Sequence, residues 1–191
     1  MRDSFINSIY KVTKINSDAL CLVGDIGAYL LRNYIKDFPS NYYNLGAAEA
    51  NMVGVAAGLA MSGKIPFVYT ITPFITSRVY EQIKLDVCYN GANVKIVGVG
   101  SGVSYGTMGS THHSLEDIAI MRVLPNMVVI SPSDPLEVEE AVFAAIKHNG
   151  PVYIRLTLSS NPLDYKRGNF KIGKARIVKK GTDAAIIATG D

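Results

Sequence analysis

Charge is scarce over two stretches of this chain of 191 residues, and those gaps are more informative than the totals. Between Asp37 and Lys64 the only charged residue is Glu49, and between Lys95 and Glu116 there is none. Cysteine is scarce as well. Cys21 and Cys88 lie in apolar segments without CxxC spacing, which argues against a disulfide framework or a structural zinc site and for reduced core thiols. No apolar run is long enough to cross a membrane, so no membrane is expected as a partner. The opening Met1-Arg2-Asp3-Ser4 does not resemble a signal peptide, and a cytoplasmic location is expected.

The distribution of positive charge excludes nucleic acid as a partner. Residues 1–163 carry 12 Lys/Arg against 13 Asp/Glu, whereas residues 164–191 carry 7 against 3. The basic excess therefore belongs to the tail, around Lys171, Lys174, Arg176, Lys179 and Lys180. A solvated hairpin or linker accounts for it better than a nucleic-acid face. At 48% hydrophobic and 18% charged residues, the chain is globular and long enough to bury a substantial core.

Apolar runs without polar alternation are what the sequence does contain. Ala19 to Val23, Pro66 to Thr70, Val94 to Val99, Met127 to Ser131 and Val152 to Leu156 read as buried strands. Phe5, Ile6, Ile9, Val12 and Ile15 recur at helical spacing. Further helices are predicted over Ala47–Met61, Ser77–Cys88, Ser114–Arg122 and Pro135–His148, the last with Pro135 and early glutamates as start signals. Strands alternating with helices predict an α/β fold: an open, doubly wound, mostly parallel sheet with helices on both faces. Ligands of such folds collect at the carboxyl ends of the strands. Asp25, Thr70 to Phe74, Gly98 to His113 and Arg155 all follow or end strands and should share that rim. The closing Asp183 to Asp191 reads as one more strand.

Glu49 poses the chemical question, because small and apolar residues flank it on both sides. A buried carboxylate survives by pairing, by coordinating a metal or by staying protonated, and each is commoner at working sites than in plain cores. Gly98, Gly100, Gly102, Gly106 and Gly109 lead into Ser110-Thr111-His112-His113, a loop that lets a ligand approach the backbone closely. That loop matches neither GxGxxG nor a P-loop. His112 suits either acid–base work or a helix cap, and His113 the cap. No acid or cysteine accompanies them at ligand spacing, so no metal site is expected on this chain. Phe74 is a core ring or a stacking platform. Arg78 and Arg155 are the arginines best placed for a phosphate or carboxylate, Arg155 because it interrupts the buried run Val152-Tyr153-Ile154-Arg155-Leu156. His148 reads as a residue at a helix C-terminus.

The order of motifs then becomes recognisable. Gly46-Ala47-Ala48-Glu49-Ala50-Asn51-Met52-Val53-Gly54-Val55-Ala56-Ala57-Gly58-Leu59-Ala60 resembles the G-x-A-E-x-N-M-x-G-x-A-A-G-L-A block of transketolase-like enzymes. Arg78-Val79-Tyr80-Glu81-Gln82-Ile83, Gly109 to Asp117 and Arg122-Val123-Leu124-Pro125-Asn126-Met127 follow in the family order. The chain is similar to the pyrimidine-binding domain of thiamine-diphosphate enzymes. The nearest types are separate carboxy-terminal transketolase subunits, then 1-deoxyxylulose-5-phosphate synthase.

The resemblance implies a site. Glu49 would hydrogen-bond N1′ of the cofactor's aminopyrimidine and so promote proton loss from thiazolium C2. Phe74 would stack on that ring, with Arg78 and Asp25 as further cofactor-side residues. His112 would contact the substrate or the reacting oxygen, and Arg155 would hold a sugar phosphate. The cofactor implied is thiamine diphosphate, its pyrimidine half here and its diphosphate and Mg²⁺ on a separate domain or subunit carrying G-D-G…N, a motif absent from this sequence. Residues 1–163 would form the pyrimidine-binding domain, and residues 164–191 a linker and the first strand of a carboxy-terminal domain. A homodimer is expected through the small-residue helix Ala47–Met61. The activity implied is transfer of a ketol or aldehyde unit between phosphorylated sugars. The alternatives are a synthase-like enzyme and a non-catalytic assembly module. Two positions depart from transketolases: Met108 stands where they carry a sugar-contacting Asp, and Gly100 where they carry a His. These departures imply a shifted substrate range. If a ligand is what satisfies Glu49, the protein itself should offer the carboxylate no good partner.

Overall fold

The computed structural model describes residues 1–159, 161–162 and 170–191. Six strands form one sheet in the order β2-β1-β3-β4-β6-β5, and every neighbouring pair is parallel. They are β1 (Ala19–Val23), β2 (Tyr42–Asn44), β3 (Ile65–Ile71), β4 (Lys95–Val99), β5 (Val128–Ile130) and β6 (Val152–Leu156). The helices are α1 (Arg2–Ile15), α2 (Ala28–Asp37), α3 (Glu49–Met61), α4 (Thr72–Ile75), α5 (Tyr80–Gln82), α6 (Asp117–Arg122) and α7 (Pro135–Lys147).

The two-residue period of a strand divides the core between two faces. Ala19, Cys21, Val23, Phe67, Tyr69, Val97, Ile154 and Leu156 point to the side covered by α1 and α7. Leu20, Leu22, Val68, Ile96 and Tyr153 point to the side covered by α3 and the segment after α5. The predicted doubly wound architecture is therefore the observed one. Connections from β1 and β3 leave toward opposite faces, which opens a crevice at the carboxyl ends of these two neighbouring strands. Val23 pairs with Tyr69, so the turn after β1 and the segment after β3 flank that crevice.

Several boundaries differ from expectation for identifiable reasons. The helix predicted over Ser77–Cys88 is one turn, α5, followed by a π-helix over Ile83–Tyr89, closed by Ala92 N–H donating to Val87 O. The helix predicted from Ser114 starts at Asp117, because Gly102 and Ser114 exchange both backbone hydrogen bonds as an antiparallel bridge. Residues 183–191 form no strand: Ile186 and Ile187 are 94% and 95% exposed and carry no ladder partner. The tail is solvated as predicted at Lys171, Lys174, Lys179 and Lys180, while Arg176 pairs with Glu140 at 2.7 Å and Glu137 at 3.6 Å on α7. The proposed domain boundary at 163/164 lies outside the described residues.

Candidate functional site

Glu49 opens α3 and is 3% exposed. Its carboxylate sits in the first turn, where the helix dipole favours negative charge. Arg78 Nη1 donates to Glu49 Oε2 at 2.8 Å. The expectation that the protein leaves Glu49 without a partner is thereby overturned: an arginine 29 residues downstream folds back over it. The second oxygen, Oε1, faces the turn after β1. A Cβ on Gly24 would lie 3.4 Å from it and 3.0 Å from Thr70 Oγ1. Only a glycine leaves that space open. Thr70 Oγ1 is buried and has no hydrogen-bond partner. An orphaned hydroxyl beside a spare carboxylate oxygen is a polar cradle with capacity for a ligand.

Phe74, on α4, adjoins the cradle through Arg78, whose guanidinium carbon lies 3.9 Å from the ring centroid. On its other flank the ring meets His112, with centroids 5.2 Å apart and planes at 65°. Tyr105 approaches His112 from the glycine loop at 5.6 Å and 71°. Glu49, Arg78, Phe74, His112 and Tyr105 thus form one continuous chain of contacts along the carboxyl rim. The arrangement brings together an ionisable oxygen, a flat aromatic surface and an imidazole.

Asp25 lies at the edge of this rim, exposed, in a left-handed conformation with φ 55°. Asn44 organises it: Asn44 Nδ2 donates to Asp25 Oδ1 at 3.0 Å, while Asn44 Oδ1 accepts from the backbone N–H groups of Asp25 and Gly46. Sequence reasoning missed Asn44, because it ends a three-residue edge strand too short to leave a periodic signal. Arg155 shares the sheet face of Tyr153 by strand parity, and its Nε donates to Asp117 Oδ2 at 2.8 Å. Tyr153 Oη donates to the same oxygen at 2.6 Å. Asp117 is fully buried and the Arg155 side chain is 14% exposed, so this arginine is committed to an internal ion pair. Its guanidinium also lies beside Gly102 in the glycine loop.

His113 does not make the expected helix cap: α6 starts at Asp117, and His113 Nε2 instead donates to Gly106 O at 2.9 Å within the loop. His148 caps the C-terminus of α7, as expected. Burial pushes the Cys21 thiol up to about 12 and the Cys88 thiol up to about 11, which leaves both as inert core groups. Among the described residues no three His, Cys, Asp or Glu side chains cluster as a metal would require. No helix among them is long and apolar enough to cross a membrane.

A family profile described as "Transketolase, pyrimidine binding domain" matches residues 20–162. The chain belongs to the transketolase pyrimidine-binding family. Among curated proteins it is 44% identical over 161 residues to an apulose-4-phosphate transketolase subunit from Actinobacillus succinogenes, covering 82% of this chain and 51% of that one. It is 38% identical over 192 residues to the 6-deoxy-6-sulfo-D-fructose transketolase subunit SqwH of Clostridium sp. strain MSTE9, covering 100% of this chain and 60% of that one. A solved structure described as a split gene transketolase, inactive beta4 tetramer, superposes with TM-score 0.84 at 35% identity, over 94% of this chain and 59% of that chain. The chain thus spans half to three fifths of the length of these two curated relatives. In this family's pyrimidine-binding fold, the rim from Glu49 to His112 occupies the crevice where ligands of doubly wound sheets collect.

Proposed function

We propose that this chain is the pyrimidine-binding half of a thiamine-diphosphate-dependent, transketolase-like transferase that moves a ketol unit between anionic sugars. The diphosphate and Mg²⁺ would be held by a separate domain or subunit. The observation that carries this reading is the placement of buried Glu49, with its Oε1 unspent, beside the orphaned Thr70 hydroxyl and the Gly24 cradle. These groups fit the polar edge of an aminopyrimidine, and Phe74 fits its face. When bound, thiamine diphosphate supplies the carbon nucleophile that accepts the ketol unit.

The residues of this chain would prepare that chemistry. Glu49 Oε1, beside the space that Gly24 leaves open, would take a hydrogen bond from, or share a proton with, a nitrogen of the pyrimidine ring. Arg78 sits on the cofactor side as the counter-ion of Glu49. Asp25 and Asn44 hold the turn that carries Gly24. His112 presents a ring nitrogen to the reacting oxygen of the substrate. For Arg155 the ion pair with Asp117 supports loop anchoring as the first role, with any contact to a sugar phosphate made through the guanidinium edge beside Gly102.

The two named relatives carry a phosphate and a sulfo group in their substrate names. An anionic ketose other than the usual pentose phosphates therefore suits a chain with Gly100 and Met108 at its two departures. A second copy is proposed to dock on the outer face of α3, where Asn51, Gly54, Val55, Gly58 and Met61 are exposed. The test is reconstitution with a diphosphate-binding subunit and thiamine diphosphate, followed by a screen of donor ketoses for cleavage. Glu49→Ala is expected to abolish cleavage, and unchanged turnover in that variant refutes the assignment.

A further inference from the structure

The glycine loop contains a residue that neither the sequence pattern nor the proposed cofactor site uses. Tyr105 is half-buried at the centre of that loop. Its ring fills the space above Gly100: a Cβ there would lie 2.1 Å from Tyr105 Cε2 and 2.7 Å from two more ring carbons. Gly100 also has φ +72°, so any side chain at this position meets both backbone strain and the Tyr105 ring. The absence of a side chain at 100 and the presence of an aromatic at 105 are one packing solution.

The seat of Tyr105 is fixed from both sides. Ser101 N–H donates to Leu156 O at 3.0 Å, and Ser101 Oγ pairs with Thr72 Oγ1 at 2.8 Å, which ties the start of the loop to the sheet. Met108 N–H donates to Tyr105 O at 3.1 Å, and the bridge between Gly102 and Ser114 closes the loop. From this seat Tyr105 meets His112 edge-on, as Phe74 also does. Two aromatic rings thus bear on the imidazole and restrict its rotation.

Held there, His112 Nδ1 lies 2.9 Å from Thr111 Oγ1. With its hydroxyl donated to Met108 O, 3.4 Å away, Thr111 accepts from the imidazole, and the ring proton then sits on Nδ1. Nε2 is left with its lone pair. We propose that Tyr105 is a positioning residue: with Phe74 it clamps His112 so that the Thr111 hydroxyl fixes one tautomer and Nε2 is the nitrogen turned to the substrate. The proposal rests on the role given above to His112, but the geometry it asserts is a property of this chain by itself.

The test uses the full chain labelled with ¹⁵N-histidine, observed by NMR above the imidazole titration range. The wild-type His112 ring is expected to show one protonated nitrogen, Nδ1, and one bare nitrogen, Nε2. Tyr105→Phe keeps the clamp and should keep that signature. Tyr105→Ala should release the ring and average the two tautomers. Gly100→Ala should do the same with the tyrosine still present, by expelling it from its seat. With the ketose that the reconstituted enzyme cleaves, both releasing variants should lower kcat by about tenfold to a hundredfold and leave KM nearly unchanged. Tyr105→Phe should stay within about twofold. An unchanged His112 tautomer in Tyr105→Ala overturns the proposal. It would do so without touching the Glu49 assignment, which is tested separately on Glu49 variants.

Discussion

At the scale of single residues, the ion pair between Glu49 and Arg78 is the feature that most changes the account. A lone acid among small residues was legible in the sequence, because desolvation makes such a carboxylate conspicuous. Its partner was not legible. Arg78 reads as an arginine placed for a ligand's phosphate or carboxylate, and only the fold back across the crevice brings it within 2.8 Å of Glu49. The pair is unequal: Glu49 is 3% exposed and the Arg78 side chain 48%. Removing one member of a fully buried pair costs about 3–5 kcal/mol. Here water can enter where the guanidinium stood, so Arg78→Ala should cost less, about 1–3 kcal/mol of an unsatisfied buried acceptor. Denaturant unfolding near neutral pH measures this, and a loss below a few tenths would show that the pair does not hold Glu49.

At the scale of elements, strand parity explains a residue that sequence reasoning singled out but could not place. A charge inside the buried run of β6 looked like a ligand group. Its parity sends it to the face of Tyr153, where Asp117 at the start of α6 receives both donors. The five strands with continuous apolar runs were legible for the same physical reason, burial on both faces. Helix α2 and strand β2 were not, because α2 buries only Leu31 and Tyr34 and β2 is a three-residue edge. Helix α3 has two working faces. Met52, Val53, Ala56 and Ala57 pack on the sheet, while Gly54 and Gly58 leave the outer side flat. If that side carries a second copy, Gly54→Arg should convert the dimer to monomer in sedimentation and leave the fold unchanged. A dimer that survives the substitution places the interface elsewhere.

At the scale of the whole molecule, the two ends of the sheet serve different purposes. The carboxyl rim carries the proposed site, while the opposite end is closed by Lys95, fully buried at the start of β4. Its ammonium donates to Asn93 Oδ1, His148 O and Gly150 O at 2.5, 2.7 and 2.8 Å, without a carboxylate. Burial pulls this group from its ordinary 10.5 down to about 7. Between those values the unfolded chain binds the proton and the folded chain does not, so stability rises with pH through that window. The thiols, raised from 9.0 by burial, work in the opposite direction above that pH. The unfolding midpoint should therefore climb from about pH 7 to about pH 9, and Lys95→Met should flatten the climb. A wild-type midpoint that falls over this range contradicts the assignment.

The central claim is that Glu49 activates a thiamine cofactor seated in the crevice. The most direct measurement is the rate of hydrogen–deuterium exchange at C2 of thiamine diphosphate in the reconstituted two-subunit complex, followed by quenched-flow NMR. The account predicts fast exchange with wild-type chain and a rate lower by about 10²–10⁴ in Glu49→Gln, the range that a positioned acid–base group contributes. Exchange equally fast in Glu49→Gln, with cofactor still bound, would contradict it.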